Sequence, residues 1–313
     1  MGRKAGAVVL WAAVALQAPA AATSLYAQPR YAAFLADAET GEVLYARQAD
    51  APRFPASITK VMTLYVVFER LAAGQLRRDD RVVVSARAAG QPPSKLGLKA
   101  GDSLSLDEAI RALTVKSAND VAVAVAEHVA GSEEAFARLM TLKARQLGMV
   151  DTRFVNASGL PDPRQLTTAR DLGRLAVAVW RDFPQYYGYF TLPHFAFRGQ
   201  VMANHNHLLR TTPGVDGIKT GYTGAAGFTL AASAVRDGRR LIAVVLGGPS
   251  RVARDANVEA LLSSGFAALA ARARGVPVQV ADLMAEPGDL NDFVLQRLVE
   301  QGSGDPRAER DRR

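Results

Sequence analysis

The chain has 313 residues, 49% of them hydrophobic, enough to bury the core of one catalytic domain of about 240 residues, and it carries no internal repeat or low-complexity insert. It contains no cysteine, which excludes a disulfide framework and any thiolate metal site. The net charge of +8 is diffuse and densest at residues 307–313; such a charge suits an anionic polymer.

At the amino end, Arg3 and Lys4 precede an apolar run over residues 5–16, then Gln17, Pro19 and small residues. This predicts a secretion signal over residues 1–27, cleaved after Ala22 or Ala27. An uncleaved anchor is the weaker reading, since the run falls short of the roughly 18 apolar residues that a span needs. Secretion would take the chain away from DNA, so nucleic acid is not expected as the partner. A catalytic domain over residues 28–274 follows, with a short carboxy-terminal segment over residues 275–313.

The first 20 or so residues after the signal alternate as strands, and helical patterns dominate from Ala56 to Trp180. Within the first helical pattern stands Ser57-Ile58-Thr59-Lys60. A serine hydroxyl attacks a carbonyl only with a base in hydrogen-bond reach, and an i, i+3 pair near a helix start brings Lys60 to Ser57. Lysine serves as a base only when burial or a neighbouring cation lowers its pKa, and Lys219 is the candidate cation. Ser57 at a helix N-terminus also offers its own N–H to an oxyanion. Taken alone, the string reads first as a surface helix, where Ser and Lys are common.

Next, Ser117-Ala118-Asn119 precedes the apolar run of residues 121–129, which reads as a buried helix. Alone, Ser117 or Asn119 is an N-cap. Read functionally, Ser117 relays a proton to the leaving group, while Asn119 donates to the substrate backbone and helps fix a lysine. Asn204-His205-Asn206-His207 could suggest a metal pair, but the stretch reads better as an asparagine-rich lead into the third box, and no metal is expected.

The third box, Lys219-Thr220-Gly221-Tyr222, reads as an extended edge segment whose glycines admit another backbone, or, standing alone, as a β-turn. Lys219 and Thr220 are then candidates for the substrate's terminal carboxylate, and the Tyr222 N–H for the second oxyanion donor. Residues 228–235 and 241–246 flank Arg236-Asp237-Gly238 as a hairpin, and residues 252–273 close the domain as an amphipathic helix.

The three boxes, in this order and each in a fitting local context, resemble the set shared by penicillin-binding proteins and class A β-lactamases. Ala36-Asp37-Ala38-Glu39-Thr40-Gly41, Phe54-Pro55-Ala56, Pro93-Ser94-Lys95-Leu96-Gly97-Leu98, Asn156-Ala157-Ser158-Gly159-Leu160-Pro161 and Thr167-Thr168-Ala169-Arg170-Asp171 extend the likeness. Over residues 31–271 the chain is similar to the low-molecular-mass penicillin-binding proteins that act as serine-type D-alanyl-D-alanine carboxypeptidases. The resemblance implies an α/β (α+β) protein of the β-lactamase/DD-peptidase-like fold: an antiparallel sheet flanked by helices, with a helical subdomain inserted between its first and last strands. It also implies peptidoglycan pentapeptide stems as substrate, β-lactam antibiotics as inhibitors, no cofactor, a periplasmic location, and a carboxylate-binding role for Arg254.

Three relatives of that chemistry compete: a DD-endopeptidase, a class A-like β-lactamase and a non-catalytic β-lactam sensor. The lactamase needs a glutamate-activated water, and Glu127, Glu133 and Glu134 all fall outside the expected loop. The carboxy end departs from the fuller family pattern, in which a β-rich domain and an amphipathic membrane helix follow. Here only Leu290, Phe293, Val294, Leu295, Leu298 and Val299 offer a short apolar face, residues from 302 onward are expected to be disordered, and membrane contact is left open.

Overall fold

A computed structural model describes residues 30–284. The expected signal segment, the apolar face at residues 290–299 and the tail from residue 302 lie outside the described residues. The chain opens with β1 (Ala32–Asp37) and β2 (Val43–Arg47), and a 3-10 turn (Ala56–Ile58) leads into α1 (Thr59–Ala72). Then come β3 (Arg81–Val83), α2 (Ala86–Ala89), β4 (Ser103–Ser105), α3 (Leu106–Arg111) continuing as a π-turn (Ala112–Lys116), α4 (Asn119–Ala130) and α5 (Glu133–Gln146). α6 (Ala169–Asp182), α7 (Pro184–Tyr187), the hairpin β5 (His194–Phe197) and β6 (Gln200–Ala203), and α8 (Leu208–Thr211) complete the insertion. β7 (Val215–Thr223), β8 (Gly227–Arg236), β9 (Arg239–Gly248), α9 (Arg251–Ala273) and α10 (Val280–Leu283) end the described chain.

The main sheet is antiparallel throughout, in the order β2-β1-β9-β8-β7. β1 therefore lies between its chain neighbour β2 and β9, the last strand of the described chain, with Phe34 opposite Val244. The whole helical subdomain is inserted between β2 and β7, and β7 is left as an edge.

Both faces of this sheet are covered. Phe34, Ala231, Ile242 and Val244 point into one core with Met62, Leu64, Val125, Leu172 and Val179 of the inserted helices. Leu35, Leu230, Ala243 and Val245 point into a second core with Val258, Leu261 and Leu262 of α9. Here the structure corrects the alternating pattern expected of the first strand: all six residues of β1 are buried, because a strand covered on both faces needs apolar side chains on each. The two-stranded β3–β4 and β5–β6 hairpins, too short to show a period, went unread within or beside the helical stretch. The Asp237-Gly238 turn is as expected: both residues have positive φ (50° and 75°), the requirement of a tight two-residue hairpin. The core also continues past residue 274, since Val280 and Met284 pack into the second core.

Most of the longer helices begin on a side-chain cap: Ser132 for α5, Thr168 for α6, Ser250 for α9. α1 and α4 do not. Neither Ser117 nor Asn119 caps α4, whose N-cap is Ala118. Those two uncapped ends face the site.

The layers meet at glycines. A Cβ on Gly173 of α6 would lie 2.4 Å from the Phe34 ring, and one on Gly265 of α9 would lie 2.7 Å from Leu35 and Leu241. Gly173→Val is therefore expected to lower stability by about 1–3 kcal/mol through overpacking. In a thermal melt that is a fall of roughly 2–4 °C per kcal/mol for a domain of this size; an unchanged midpoint would contradict the packing described.

Candidate active site

Pro55 and the 3-10 turn carry Ser57 to the mouth of α1, and one turn on the same face stands Lys60. Lys60 Nζ lies 3.2 Å from Ser57 Oγ, 2.8 Å from Asn119 Oδ1 and 2.6 Å from Ser158 O. Its side chain is fully buried among the helices. Burial holds its pKa well below the ordinary 10.5, the Lys219 charge lowers it further, and the Asp120 carboxylate opposes them. A neutral amine can keep two donated bonds and accept the third from the Ser57 hydroxyl.

The second box arrives through an unusual backbone. The π-turn ends at Ser117, which adopts the left-handed conformation (φ 61°, ψ 37°) and so turns its hydroxyl into the cleft. Ser117 Oγ is buried and has no hydrogen-bond partner. Asn119, at the start of α4, accepts from Lys60 while its amide donates to Pro92 O at 2.9 Å, and its N–H donates to Ser94 O at 2.7 Å. Asp120 accepts from the N–H groups of Leu96, Gly97 and Leu98, which fixes the loop that Pro93 and Ser94 bring to the cleft wall.

The third box lies mid-strand in β7, not in a turn. Lys219 points inward and is 2% exposed, its Nζ donating to Thr220 O at 3.1 Å. Burial, then the nearby Arg254 charge, lowers its pKa to about 7. Gly221 lies against the turn that carries Ser57: a Cβ there would sit 2.8 Å from Ser57 N and 2.6 Å from Thr229 Oγ1. No other residue lets the strand come so close. Tyr222 is exposed at the rim, its ring 4.3 Å from that of Phe228. Thr220, Gly221 and Tyr222 all line the cleft.

Arg254, in the first turn of α9, reaches the same cleft but is 2% exposed. Its guanidinium donates to Thr229 O at 2.6 Å and to Asp255 at 2.7 Å. His205 and His207 line the cleft too. Partial enclosure and then the Lys219 and Lys116 charges hold His205 down to about 4, so it is neutral near pH 7. Asn206 ties this stretch to β7 by donating to Gly217 O at 3.0 Å.

The cleft holds about 560 Å³ and is walled by β7 on one side and the inserted subdomain on the other. Among its described lining residues there is no carboxylate. Sequence reasoning singled out the side chains but missed the main-chain members: Ser158 O on Lys60, and Gly159 (φ +85°), where a Cβ would lie 1.8 Å from Ala56 O. A carbonyl acceptor has no residue type to betray it; the only signal was the Asn156–Pro161 string itself. Arg251, also on the wall, was not singled out.

The helix that follows Ser57 and a strand edge meeting at the mouth of an inserted helical subdomain define the β-lactamase/DD-peptidase class of fold. Within it, the sequence profile described as D-alanyl-D-alanine carboxypeptidase, peptidase family S11, matches residues 19–250, and the chain belongs to that family. It is 35% identical over 248 residues to the D-alanyl-D-alanine carboxypeptidase DacF of Bacillus subtilis, covering 78% of this chain and 64% of that protein. With DacC of Escherichia coli it shares 40% identity over 239 residues, 74% of this chain and 60% of the relative. The chain thus spans about three fifths of the length of these relatives. The cefotaxime-bound crystal structure of penicillin-binding protein D2 from Listeria monocytogenes superposes with a TM-score of 0.69 at 30% identity, covering 75% of this chain and 96% of that one.

Holding two lysines in one dry site has a measurable consequence. Unfolded, Lys219 titrates near 10.5; folded, near 7. Between these values the unfolded chain holds the extra proton, so stability rises with pH through that window and the full penalty applies below about 7. Lys219→Met is expected to raise the melting temperature at about pH 6.5, with the gain shrinking toward pH 9; a variant destabilised equally at both pH values would refute the shift.

Proposed function

We propose that the chain is a penicillin-sensitive serine D-Ala-D-Ala carboxypeptidase that removes the terminal D-alanine from peptidoglycan pentapeptide stems. The observation that carries this reading is the buried Lys60 amine 3.2 Å from Ser57 Oγ, its pKa lowered by burial and by Lys219.

In the proposed mechanism neutral Lys60 takes the Ser57 proton as Oγ bonds to the carbonyl carbon between the last two D-alanines. The N–H groups of Ser57 and Tyr222 hold the oxyanion, an arrangement supported by the closeness of Gly221 to Ser57 N. As the C–N bond breaks, the proton passes from Lys60 through Ser117 to the leaving amine, and D-alanine departs. The unpartnered Ser117 hydroxyl supports that relay, because nothing else competes for it. Asn119 holds Lys60 and the substrate amide; Lys219, Thr220 and Arg254 attract the terminal carboxylate. Water then attacks the ester, giving its proton to Lys60, and the tetrapeptide leaves with Ser57 restored. No step calls for a metal or cofactor.

A secretion signal over residues 1–27 supports a periplasmic site of action, where such stems occur. Among the described residues no helix is long and apolar enough to cross a membrane.

The carboxylate-free cleft lining favours a carboxypeptidase over a lactamase. Glu133 is engaged elsewhere, accepting from Ala157 N and pairing with Arg87. With no carboxylate to activate the deacylating water, a β-lactam adduct should persist: after a penicillin pulse, intact mass should show a one-to-one adduct lasting far beyond a catalytic cycle, and rapid return to the free mass would favour the lactamase.

The direct test is D-alanine release from a pentapeptide ending in D-Ala-D-Ala. Ser57→Ala should lower turnover by about 10³-fold or more while the thermal melt is retained. No release by a folded wild type that still acylates would move the reading to an endopeptidase or a sensor.

A further inference from the structure

Past the rim of the cleft lies a second hollow of about 330 Å³, and Tyr222 and Phe228 stand in the wall between the two. The rest of the hollow is Pro249, the main chain at Gly227, Gly247 and Gly248, and Arg30, its only charged residue among those described. Arg30 is exposed, yet its main chain is firmly held. Arg53 Nε donates to Arg30 O at 2.8 Å, and Arg53 Nη2 to Tyr31 O at 3.1 Å. The end of β9 passes so close that a Cβ on Gly247 (φ +77°) would lie 2.0 Å from Arg30 O. From that base the guanidinium reaches the turn between β7 and β8, where Nη1 donates to Gly224 O at 2.6 Å. Among the described residues this is its only hydrogen bond, and no carboxylate pairs with it, so the remaining N–H groups stay available. Cleavage of the expected signal after Ala22 or Ala27 leaves Arg30 in the mature chain.

The polarity of the substrate on β7 puts this cation upstream of the scissile bond. In the reading above, Lys219 and Thr220 take the terminal carboxylate and the Tyr222 N–H faces the reacting carbonyl, so the acyl portion continues toward Thr223 and Gly224. At about 3.3 Å per extended residue, two further residues of stem bring the chain abreast of Gly224, the residue to which Arg30 is bonded. An acidic group carried there meets a cation, and neither the hollow nor the adjoining cleft has a carboxylate among its described lining residues to compete for it.

We infer that this hollow binds an acidic group of the stem peptide upstream of the scissile bond, with Arg30 as the residue that reads its carboxylate. This rests on the carboxypeptidase reading above. A guanidinium forms charge-assisted hydrogen bonds to a carboxylate, which a lysine at the same place reproduces only as a point charge. Because the site is open to solvent, the discrimination is modest and falls as salt rises.

The test measures D-alanine release by wild type, Arg30→Ala, Arg30→Gln and Arg30→Lys from peptides that all end in D-Ala-D-Ala. Two carry no upstream carboxylate: diacetyl-L-Lys-D-Ala-D-Ala, and a pentapeptide stem with a glutamyl amide and lysine in third place. Two are acidic: the stem with a free glutamyl carboxylate and lysine, and the stem with a glutamyl amide and diaminopimelate. On at least one acidic stem Arg30→Ala should lose about threefold to tenfold in kcat/KM, mostly through KM, and Arg30→Lys should recover part of it. The stem that shows the loss identifies which carboxylate is read. On the two peptides without an upstream carboxylate all four proteins should agree within about twofold. Arg30→Gln keeps an amide donor for Gly224 O without the charge and should behave as Arg30→Ala. A glutamine variant equal to wild type on the acidic stems, or equal losses on every peptide, would mean that Arg30 only pins the turn, and would overturn the assignment; so would no loss on either acidic stem. Retained melting curves show that the variants fold, and Arg30→Gln keeps the test alive if Arg30→Ala does not. A wild type that releases no D-alanine from any of these peptides overturns the carboxypeptidase reading and this inference with it; an active wild type with indifferent Arg30 variants overturns the inference alone.

Discussion

The burial of two lysine side chains in one site is the constraint on which the rest of the molecule depends. An ammonium removed from water carries a desolvation penalty of several kcal/mol, and two held in mutual electrostatic range are less favourable still. Lys60 and Lys219 tolerate this only because their neighbours are fixed. Lys60 is gripped by Asn119 from α4 and by Ser158 O from the loop before α6, two segments far apart in sequence. Lys219 is held in the middle strand positions of β7, whose register against β8 is set by eight consecutive-type pairings broken by one bulge. A lysine on a mobile surface would stay protonated and could not serve as a base.

That need explains why the sheet is built from the two ends of the described chain with the helices inserted between. Lys60 arrives on a helix that belongs to the inserted half, Lys219 on the edge strand of the sheet, and the site exists only where the halves touch. The halves meet backbone to backbone at Gly221 against Ser57 N, and within the inserted half Gly159 packs as closely on Ala56 O. Covering both faces of the sheet, with Gly173 on one side and Gly265 on the other, keeps that edge strand from shifting.

Much of this was legible in the sequence, and the pattern of what was not has a physical basis. Ser57, Lys60, Ser117, Asn119, Lys219 and Thr220 could be named because acyl transfer requires particular functional groups, and the groups come with residue letters. The closing hairpin was legible because Asp237-Gly238 is a conformational demand written in composition. β1 looked alternating, yet Ala-Ala-Phe-Leu-Ala-Asp is buried on both sides, and small apolar residues carry no face preference that a period could reveal. The carbonyls of Ser158, Pro92 and Ser94 were invisible for a different reason: every residue has one. Arg251 and Arg254 stand three residues apart on one helix, and only burial and partners distinguish the fixed guanidinium from the free one.

The site also collects features that a fold selected for stability alone would avoid. Ala56 and Ser117, neither of them glycine, both have left-handed φ values (46° and 61°), and each such residue costs about 1–2 kcal/mol. Ser117 Oγ and Thr229 Oγ1 are buried without partners, within a structure whose polar groups are otherwise extensively bonded. The strained residues are the one before Ser57 and the proposed relay itself, so the unusual backbone sits where the two hydroxyls are set. Strain, orphaned hydroxyls and desolvated cations therefore gather around one cleft, and in the proposed mechanism the substrate supplies what the cations and the relay lack, a carboxylate and an amide nitrogen. The binding of substrate and the relief of these local costs are then one event, which is how a site this unfavourable when empty can be selective when filled.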